Sequence, residues 1–548
     1  MSSESVLILA AGRLPDRQLG PAPLLHDHPL DLPAGSDLAL QRLIKHYRDH
    51  RPNARLIAVI DQRESWQFQC LASQLDQILL IKPQKNVCET LKQALLQMPS
   101  LAERVIVNPI TVLPTKHGLA HCCVVLNEDP LPRENWSAFK SLDPSSKSDL
   151  LSKLESPTTN EQASHAVTGL ICGQGKQLLD ALKSLDEKQS SDLGWLAWRM
   201  IDHHNAIVIP SPWHDLGHRA TYARSRRSNL ISRGHNEVSY DPKGDLINKR
   251  SSDHKRLAAE AAYLQELMPR LQRHFPALIC TDANAGLKLD YLPYPSLSEL
   301  FLHWQPGISG WTGIWKRLCL ILDELQTSAP PVLGNPSWLY EGKLQHRLQQ
   351  LIIHPPSNQW KYFWHQPLKL NEKNLPSPEQ CCLQLLQSLP SLQQHQPLMR
   401  IHGDLCFNNI LADPLHGTVR LIDPRGEAAP DNDIPVGFGD PRYELVKLLH
   451  SGVYLYDLVV HDLFTLKAIN NNNSWSVQMH PPRQFKSIAA QIRTITRQRG
   501  LTAEEEQWLT ASLFFSMLPL HSDSLQRQQM LCLIGCCIVQ GCFSLLLP

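Results

Sequence analysis

The sequence predicts two successive folded parts, an α/β domain built on a mostly parallel sheet and then a two-lobed α+β domain. Three observations lead there. Residues 6–12, 56–60 and 105–107 form continuous apolar runs, separated by helix-like stretches such as 38–50. Runs of that kind suit strands covered on both faces, and their alternation with helices implies parallel pairing. Beyond residue 228 the pattern changes to short strands at 229–240 and 245–249, joined by the turn Asp241-Pro242-Lys243-Gly244. Finally, after an amphipathic helix at 253–267 and a short strand at 287–291, nearly everything past Pro295 reads as helix, apart from a loop-and-strand block at 402–426.

A chain of 548 residues is too long for one ordinary core, so two or three domains are expected. The main boundary is placed near Ser228, after the basic stretch 219–227. This gives domains at 1–227 and 228–548, the second with a small lobe at about 228–294 and a large lobe at about 295–548. Lys and Arg total 53 against 52 Asp and Glu, so no whole-chain field attracts nucleic acid. Fourteen cysteines show no metal-type CxxC pair and read as free, mostly buried thiols of a reducing compartment. The opening residues lack the basic start and cleavage site of a secretory signal, which points to the cytosol. The apolar stretch 530–548 is diluted by Gly535, Gln540, Gly541 and Ser544, and no basic flank follows. A buried core helix is therefore expected there, not a membrane span. The Leu/Gln/Pro/Ser-rich stretch 376–397 and the asparagine run 470–473 read as biased surface segments, and 143–165 as a surface excursion.

The most informative segment is Ile401-His402-Gly403-Asp404-Leu405-Cys406-Phe407-Asn408-Asn409-Ile410-Leu411, followed by Val419-Arg420-Leu421-Ile422-Asp423-Pro424-Arg425-Gly426. An aspartate, an asparagine five residues on, and a second aspartate after a strand suit phosphoryl transfer. One carboxylate orients the attacking hydroxyl while an amide and a carboxylate hold magnesium. Helix capping by Asp404 and turn formation by Asn408-Asn409 is the competing structural explanation, but it leaves the spacing to Asp423 unexplained. The segment resembles the aminoglycoside phosphotransferase and choline kinase family, whose fold is protein-kinase-like. The resemblance implies that Asp404 is the catalytic base, that Asn409 and Asp423 are Mg²⁺ ligands, and that His402 supports the catalytic loop.

Upstream, a kinase small lobe needs a strand lysine for the α and β phosphates of ATP and a helical glutamate to pair with it. Lys249 and Glu260 occur in that order, with Arg250 and Lys255 as rival cations. Arg233-Gly234-His235-Asn236 offers one glycine where a phosphate loop would be richer. Asp290 and Tyr291, in Leu289-Asp290-Tyr291-Leu292, read as the interlobe hinge that takes adenine, against the plainer reading of an edge strand. Arg425 suits a transferred phosphate, or else a local carboxylate. Residues 439–448 resemble the family's next helix start, with Asp440 as a cap.

Leu7 to Gly12, with Trp213-His214-Asp215-Leu216-Gly217-His218, resembles the two ends of the sugar-nucleotide nucleotidyltransferase fold over roughly residues 1–227. In that family a glycine-rich turn meets nucleoside triphosphate and two aspartates bind magnesium; Asp215 matches the later one. Two departures stand out. After Gly12-Arg13 the chain reads Leu14-Pro15-Asp16-Arg17-Gln18, without the second glycine or the Pro-Lys pair, and Asn108 stands where the first aspartate is expected. The domain therefore reads as degenerate. The expected activity is Mg²⁺- and ATP-dependent phosphorylation of a hydroxyl on a small metabolite: a sugar, polyol or amino alcohol of surface-polysaccharide or headgroup synthesis. The alternatives are a bifunctional kinase/nucleotidyltransferase and a non-catalytic nucleotide-binding scaffold.

Overall fold

The computed structural model describes the chain except residues 1–3, 15–17, 21–27, 36, 62–65, 83, 99, 101–102, 116–118, 128–136, 140–151, 154–164, 213, 229, 231–235, 283–285, 427–432 and 471–472. It divides into two compact units, Met1–Asn229 and Leu230–Pro548. The phosphate-loop candidates Arg233, Gly234 and His235, most of 143–165, and Pro15 to Arg17 lie outside the described residues.

The first unit is mixed α/β with a parallel-rich sheet of nine strands. β1 (Glu4–Leu9) lies between two parallel partners, β2 (Arg55–Ile60) and β4 (Arg104–Pro109), and β3 (Gln77–Leu80) runs parallel to β2. Val6, Leu7 and Ile8 have no exposed surface, as expected of a strand covered on both faces. Helix α1 (Val87–Leu96) supplies Leu91, Ala94 and Leu95 to the core that also holds Leu7, Val105 and Val107. On the other side of β4 the sheet turns antiparallel: β5 (Cys123–Asn127) pairs with β6 (His165–Gln174), and β6 runs against both β4 and β5. β7 (Ile207–Ser211) then closes parallel to β5. A buried apolar run specifies a covered strand but not its direction, which depends on how the chain returns; the antiparallel half was therefore not foreseen. Helix α2 (Arg219–Ser228) ends the unit and contains the basic stretch.

The second unit begins with an antiparallel sheet of four strands. β8 (Asn236–Asp241) and β9 (Leu246–Ser251) form the expected hairpin, β11 (Gly286–Asp290) pairs with β9, and β10 (Leu278–Asp282) occupies the far edge. Between β9 and β10 runs α3 (His254–Gln265), whose N-cap Asp253 accepts a hydrogen bond from the Arg256 amide at 3.1 Å. The remainder is mainly helical and includes α4 (Ile308–Gln326) and α5 (Pro378–Leu392). The hairpin β12 (Ile410–Asp413) and β13 (Thr418–Leu421) follows the His-Gly-Asp loop. After it come α6 (Arg442–Gly452), a second hairpin of β14 (Phe464–Asn470) and β15 (Ser474–Met479), and the helices α7 (Ala503–Ser516) and α8 (Leu525–Val539).

Three expectations need correction. The helical part contains a four-stranded sheet, in which the second hairpin is joined by Leu368–Leu370 and Lys373–Leu375. The stretch 376–397 is mostly α5, not a surface segment. Its Cys381, Cys382, Leu385 and Leu389 recur at helical spacing, are buried, and pack toward α8. Asn473 is likewise internal. Its amide donates to the carbonyls of Phe363, Gln366 and Pro367, and its oxygen accepts from the Trp475 indole at 2.9 Å. That network, at a residue with φ of 50°, anchors the turn between β14 and β15.

The apolar stretch near residue 530 forms α8, and every residue from Gln528 to Val539 is buried. Among the described residues no helix is long and apolar enough to cross a membrane. None of the fourteen cysteines is in a disulfide, and ten of them are buried.

Candidate functional site

The His-Gly-Asp loop leaves the strand Gln396–Arg400 and leads to β12. Phe407, fully buried, fixes it from below against Phe301 and Trp311 at ring separations of 5.5 and 6.4 Å. Gly403 has a φ of 80°, and a Cβ there would lie 2.8 Å from the Cβ of Arg425, so only glycine fits the bend.

His402 is a buried brace. Its Nε2 donates to the Ile422 carbonyl at 2.9 Å and its Nδ1 accepts from the Asp404 amide at 3.3 Å, which sets the tautomer. The ring stacks on Phe275. Burial pushes its pKa down to about 4, so the imidazole is neutral. The backbone amides of His402 and Gly403 donate to the two carboxylate oxygens of Glu444 on α6, at 3.1 and 2.9 Å. Burial raises the Glu444 pKa to about 7 against the opposing effect of those amides.

Asp404 sits between two cations. Lys447 Nζ lies 2.9 Å from Oδ1, and Arg425 Nη2 donates to Oδ2 at 2.9 Å. Burial by itself would raise this carboxyl, but Lys447 and Arg425 outweigh it and hold its pKa well below the ordinary range. Arg425 thus takes the local-carboxylate role that competed with phosphate binding. Asn409 donates from Nδ2 to the Asp404 carbonyl at 2.9 Å, so its side-chain oxygen is the atom left to act as an acceptor or ligand.

A second charged group lies against β9. Lys249 Nζ meets Glu260 Oε2 at 2.6 Å and also bonds Asp423 Oδ1. Burial alone would lower Lys249, but Asp423 and Glu260 raise it, keeping the ammonium charged. Glu260 is pushed up to about 7 by burial and then by Asp423, while Lys249 pulls it down. Lys249, not Arg250 or Lys255, is therefore the cation in this group. Asp423 adopts φ of 58°, a left-handed conformation that aspartate tolerates better than most residues, and the Arg425 amide bonds the His402 carbonyl at 2.7 Å. The turn 423–426 therefore touches both groups. At Gly426 a Cβ would lie 1.9 Å from the Ala259 carbonyl oxygen, so this turn packs directly on the helix that carries Glu260.

Asp290 and Tyr291 are not brought to these charges. Asp290 pairs across from Leu246, three positions from Lys249 on the same strand. The Asp290 amide bonds the Ala277 carbonyl and the Tyr291 amide bonds the Asp245 carbonyl. Asp440 precedes the N-cap Pro441 of α6; fully buried, it accepts from the Arg442 amide at 2.9 Å and from Tyr340 at 3.1 Å. Lys447 and Glu444 were the residues missed. Their signal was two charges three positions apart within the otherwise apolar 443–449, an arrangement that places both on one helix face.

In the first unit Asp215 is bonded by residues that closely follow it in sequence, including the start of α2. Gly217 N and Thr221 Oγ1 donate to its carboxylate at 3.0 and 2.6 Å, and His218 Nδ1 lies 2.8 Å from Oδ2. Asn108 is fully buried, accepts from the Tyr47 hydroxyl at 2.7 Å, and donates to the Pro109 and Val112 carbonyls. Among the described residues no group of three or more His, Cys, Asp or Glu side chains is arranged to hold a metal ion.

No protein-family model matches the chain, and no curated protein matches it. Solved structures do align with part of it. A candidate glucose-1-phosphate thymidylyltransferase from Bacillus anthracis is 12% identical, covers 42% of this chain and 98% of its own, and has a TM-score of 0.33. The inositol-1-phosphate CTP transferase from T. maritima is 11% identical over 42% of this chain and 98% of its own, with a TM-score of 0.30.

The neutral state of His402 has a measurable consequence. Its folded pKa is depressed, so its contribution to stability is complete above pH 6.5 and is lost as pH falls toward about 4, where the folded ring finally takes a proton. The full loss is about 3 kcal/mol. His450, also buried and held well below its ordinary pKa, loses stability as pH falls through the same region. Urea unfolding at stepped pH should show this acid loss, and His402→Gln should flatten part of it; an unchanged profile would exclude the assignment.

Proposed function

We propose that the second unit is a small-molecule kinase of protein-kinase-like fold, acting on a hydroxyl of a small metabolite with ATP and Mg²⁺. The observation that carries this reading is the paired arrangement around the turn 423–426. Lys249 and Glu260 are ion-paired beside Asp423, and Asp404 is held by Arg425 on the other side of the same turn. A four-stranded antiparallel sheet with one helix, followed by a mainly helical part, supports the fold.

In this reading Lys249 binds the α and β phosphates, with Glu260 orienting it. The acceptor oxygen attacks the γ-phosphorus, the bond from that phosphorus to the bridging oxygen breaks, and ADP leaves with the electron pair. Asp404 accepts the hydroxyl proton. The Asp423 carboxylate and the Asn409 amide oxygen are hard donors suited to Mg²⁺, which typically takes one or two protein ligands and completes its shell with phosphates and water. Bound there, Mg²⁺ would neutralise charge on the phosphates. His402 keeps the loop in register and takes no proton. Asp290 and Tyr291 are assigned to adenine at the end of β11, through groups other than the two amides already bonded in the sheet.

The first unit is proposed as a degenerate, non-catalytic domain. Its support is the internal bonding of Asp215 and the neutral, fully bonded Asn108. A small pocket there is lined mainly by apolar side chains, including Val112, Leu113, Val125 and Leu170. The test is a panel of hydroxyl metabolites incubated with the full chain, ATP and Mg²⁺. ADP formation coupled to a phosphorylated product is expected, and it should persist in Asp215→Ala. Failure across a broad panel would favour the non-catalytic scaffold, whereas pyrophosphate release lost in Asp215→Ala would favour the bifunctional enzyme.

A further inference from the structure

Among the described residues, three cations, Lys343, Lys447 and Arg425, gather around Asp404 and Tyr443. Lys447, on α6, is 8% exposed and reaches Asp404 Oδ1. Its Nζ also lies 5.6 Å from the centre of the Tyr443 ring. Lys343, half-buried on the helix Glu341–Ile353, donates to the Tyr443 hydroxyl at 3.1 Å and lies 5.0 Å from the same ring centre. Arg425 covers the other oxygen of Asp404. Among the described residues, Asp440 is held by Arg442 and Tyr340, and Glu444 by the His402 and Gly403 amides. Burial would raise the Tyr443 hydroxyl, yet Lys343 and Lys447 lower it.

That field disfavours an ammonium-bearing acceptor and suits an oxyanion. We propose that the acceptor of this kinase carries an anionic group, a carboxylate or phosphate, held by Lys343 and Lys447 while its hydroxyl faces Asp404. The inference rests on the kinase reading above. It also gives Lys447 a role in the reaction cycle. Without acceptor, the two oxygens of Asp404 are each covered by a cation, which suppresses its basicity; an oxyanion that draws Lys447 toward itself frees Oδ1 for the incoming hydroxyl.

The test uses the full chain with ATP, Mg²⁺ and matched acceptors: a neutral hexose, its hexosamine, its uronic acid and its hexose phosphate. At least one acidic form should exceed the neutral hexose in kcat/KM by roughly tenfold or more, with the hexosamine poorest. A preference for uronic acid identifies the oxyanion as carboxylate, and a preference for hexose phosphate identifies it as phosphate. Lys343→Met should reduce the acid-over-neutral ratio by about the same factor, through KM, and Lys343→Arg should restore most of it. Equal or better use of the neutral or amino forms overturns the proposal, as does a Lys343→Met variant that leaves the ratio unchanged. Absence of transfer to every acceptor overturns the kinase reading and this inference with it.

Discussion

Asp404→Asn should reduce ATP-dependent transfer by about 10²–10⁴-fold, the usual contribution of a positioned general base. The amide keeps the shape of the side chain but cannot take the hydroxyl proton. Nucleotide affinity should be largely retained, because Lys249, Glu260 and Asp423 lie on the other arm of the turn. Single-turnover transfer from labelled ATP, set beside equilibrium nucleotide binding, separates the two effects. The substitution also leaves Lys447 and Arg425 without their shared anion, so thermal unfolding must accompany the kinetics. Turnover at the wild-type rate in a folded Asp404→Asn protein would eliminate the assignment.

Lys249→Met should remove both activity and stability. The methionine fills similar volume but leaves Glu260, 5% exposed, and Asp423 as neighbouring carboxylates with no cation between them. Breaking a buried pair from one side costs about 3–5 kcal/mol. The pH dependence of that cost is diagnostic. Glu260 has a folded pKa of about 7 even with Lys249 present, above its unfolded value. Its protonated form is therefore the one compatible with burial. The stability it contributes is complete below about pH 4.5 and is lost as pH rises through 7. Without Lys249 the folded pKa rises further and the loss continues to higher pH, so the variant should come closer to wild type at pH 5 than at pH 8 in urea unfolding. A penalty that does not change with pH would show that the two carboxylates are not coupled through the lysine.

How far such sites can be read from sequence depends on what holds them. His402, Asp404, Asn409 and Asp423 are legible because one loop and one hairpin position them, so their spacing is nearly their geometry. Lys249 and Glu260 could be ordered along the chain, but the sequence left Arg250 and Lys255 as rivals until strand register chose among them. Lys447 and Glu444 left a trace in their spacing, but neither their partners nor those of Lys343 could be read. These three residues meet Asp404, its loop or Tyr443 only because separate helices pack there, and a charge on an apolar helix gives no indication of its tertiary partner. The same limit applies to the hairpin β14–β15. Its alternation is visible in retrospect, but the adjacent asparagines read as a surface run because the partners of Asn473 lie more than a hundred residues upstream. In the first unit β1, β2 and β4 were legible from apolar runs, whereas β3, β5, β7 and the reversal of β6 were not.

The position of α8 late in the second unit bears on how that unit is made. Twelve consecutive buried residues of this helix complete the packing of α5 and α7, which are synthesised earlier. A ribosome adding ~5–20 residues per second needs roughly 7–30 s to move from the end of α5 to Val539. During that interval the face that α5 presents to α8 waits uncovered on the nascent chain, joined near its end by that of α7. The unit should therefore depend on chaperones that hold such surfaces during translation, and a chain released before Leu525 should enter aggregates in preference to a partly folded soluble state.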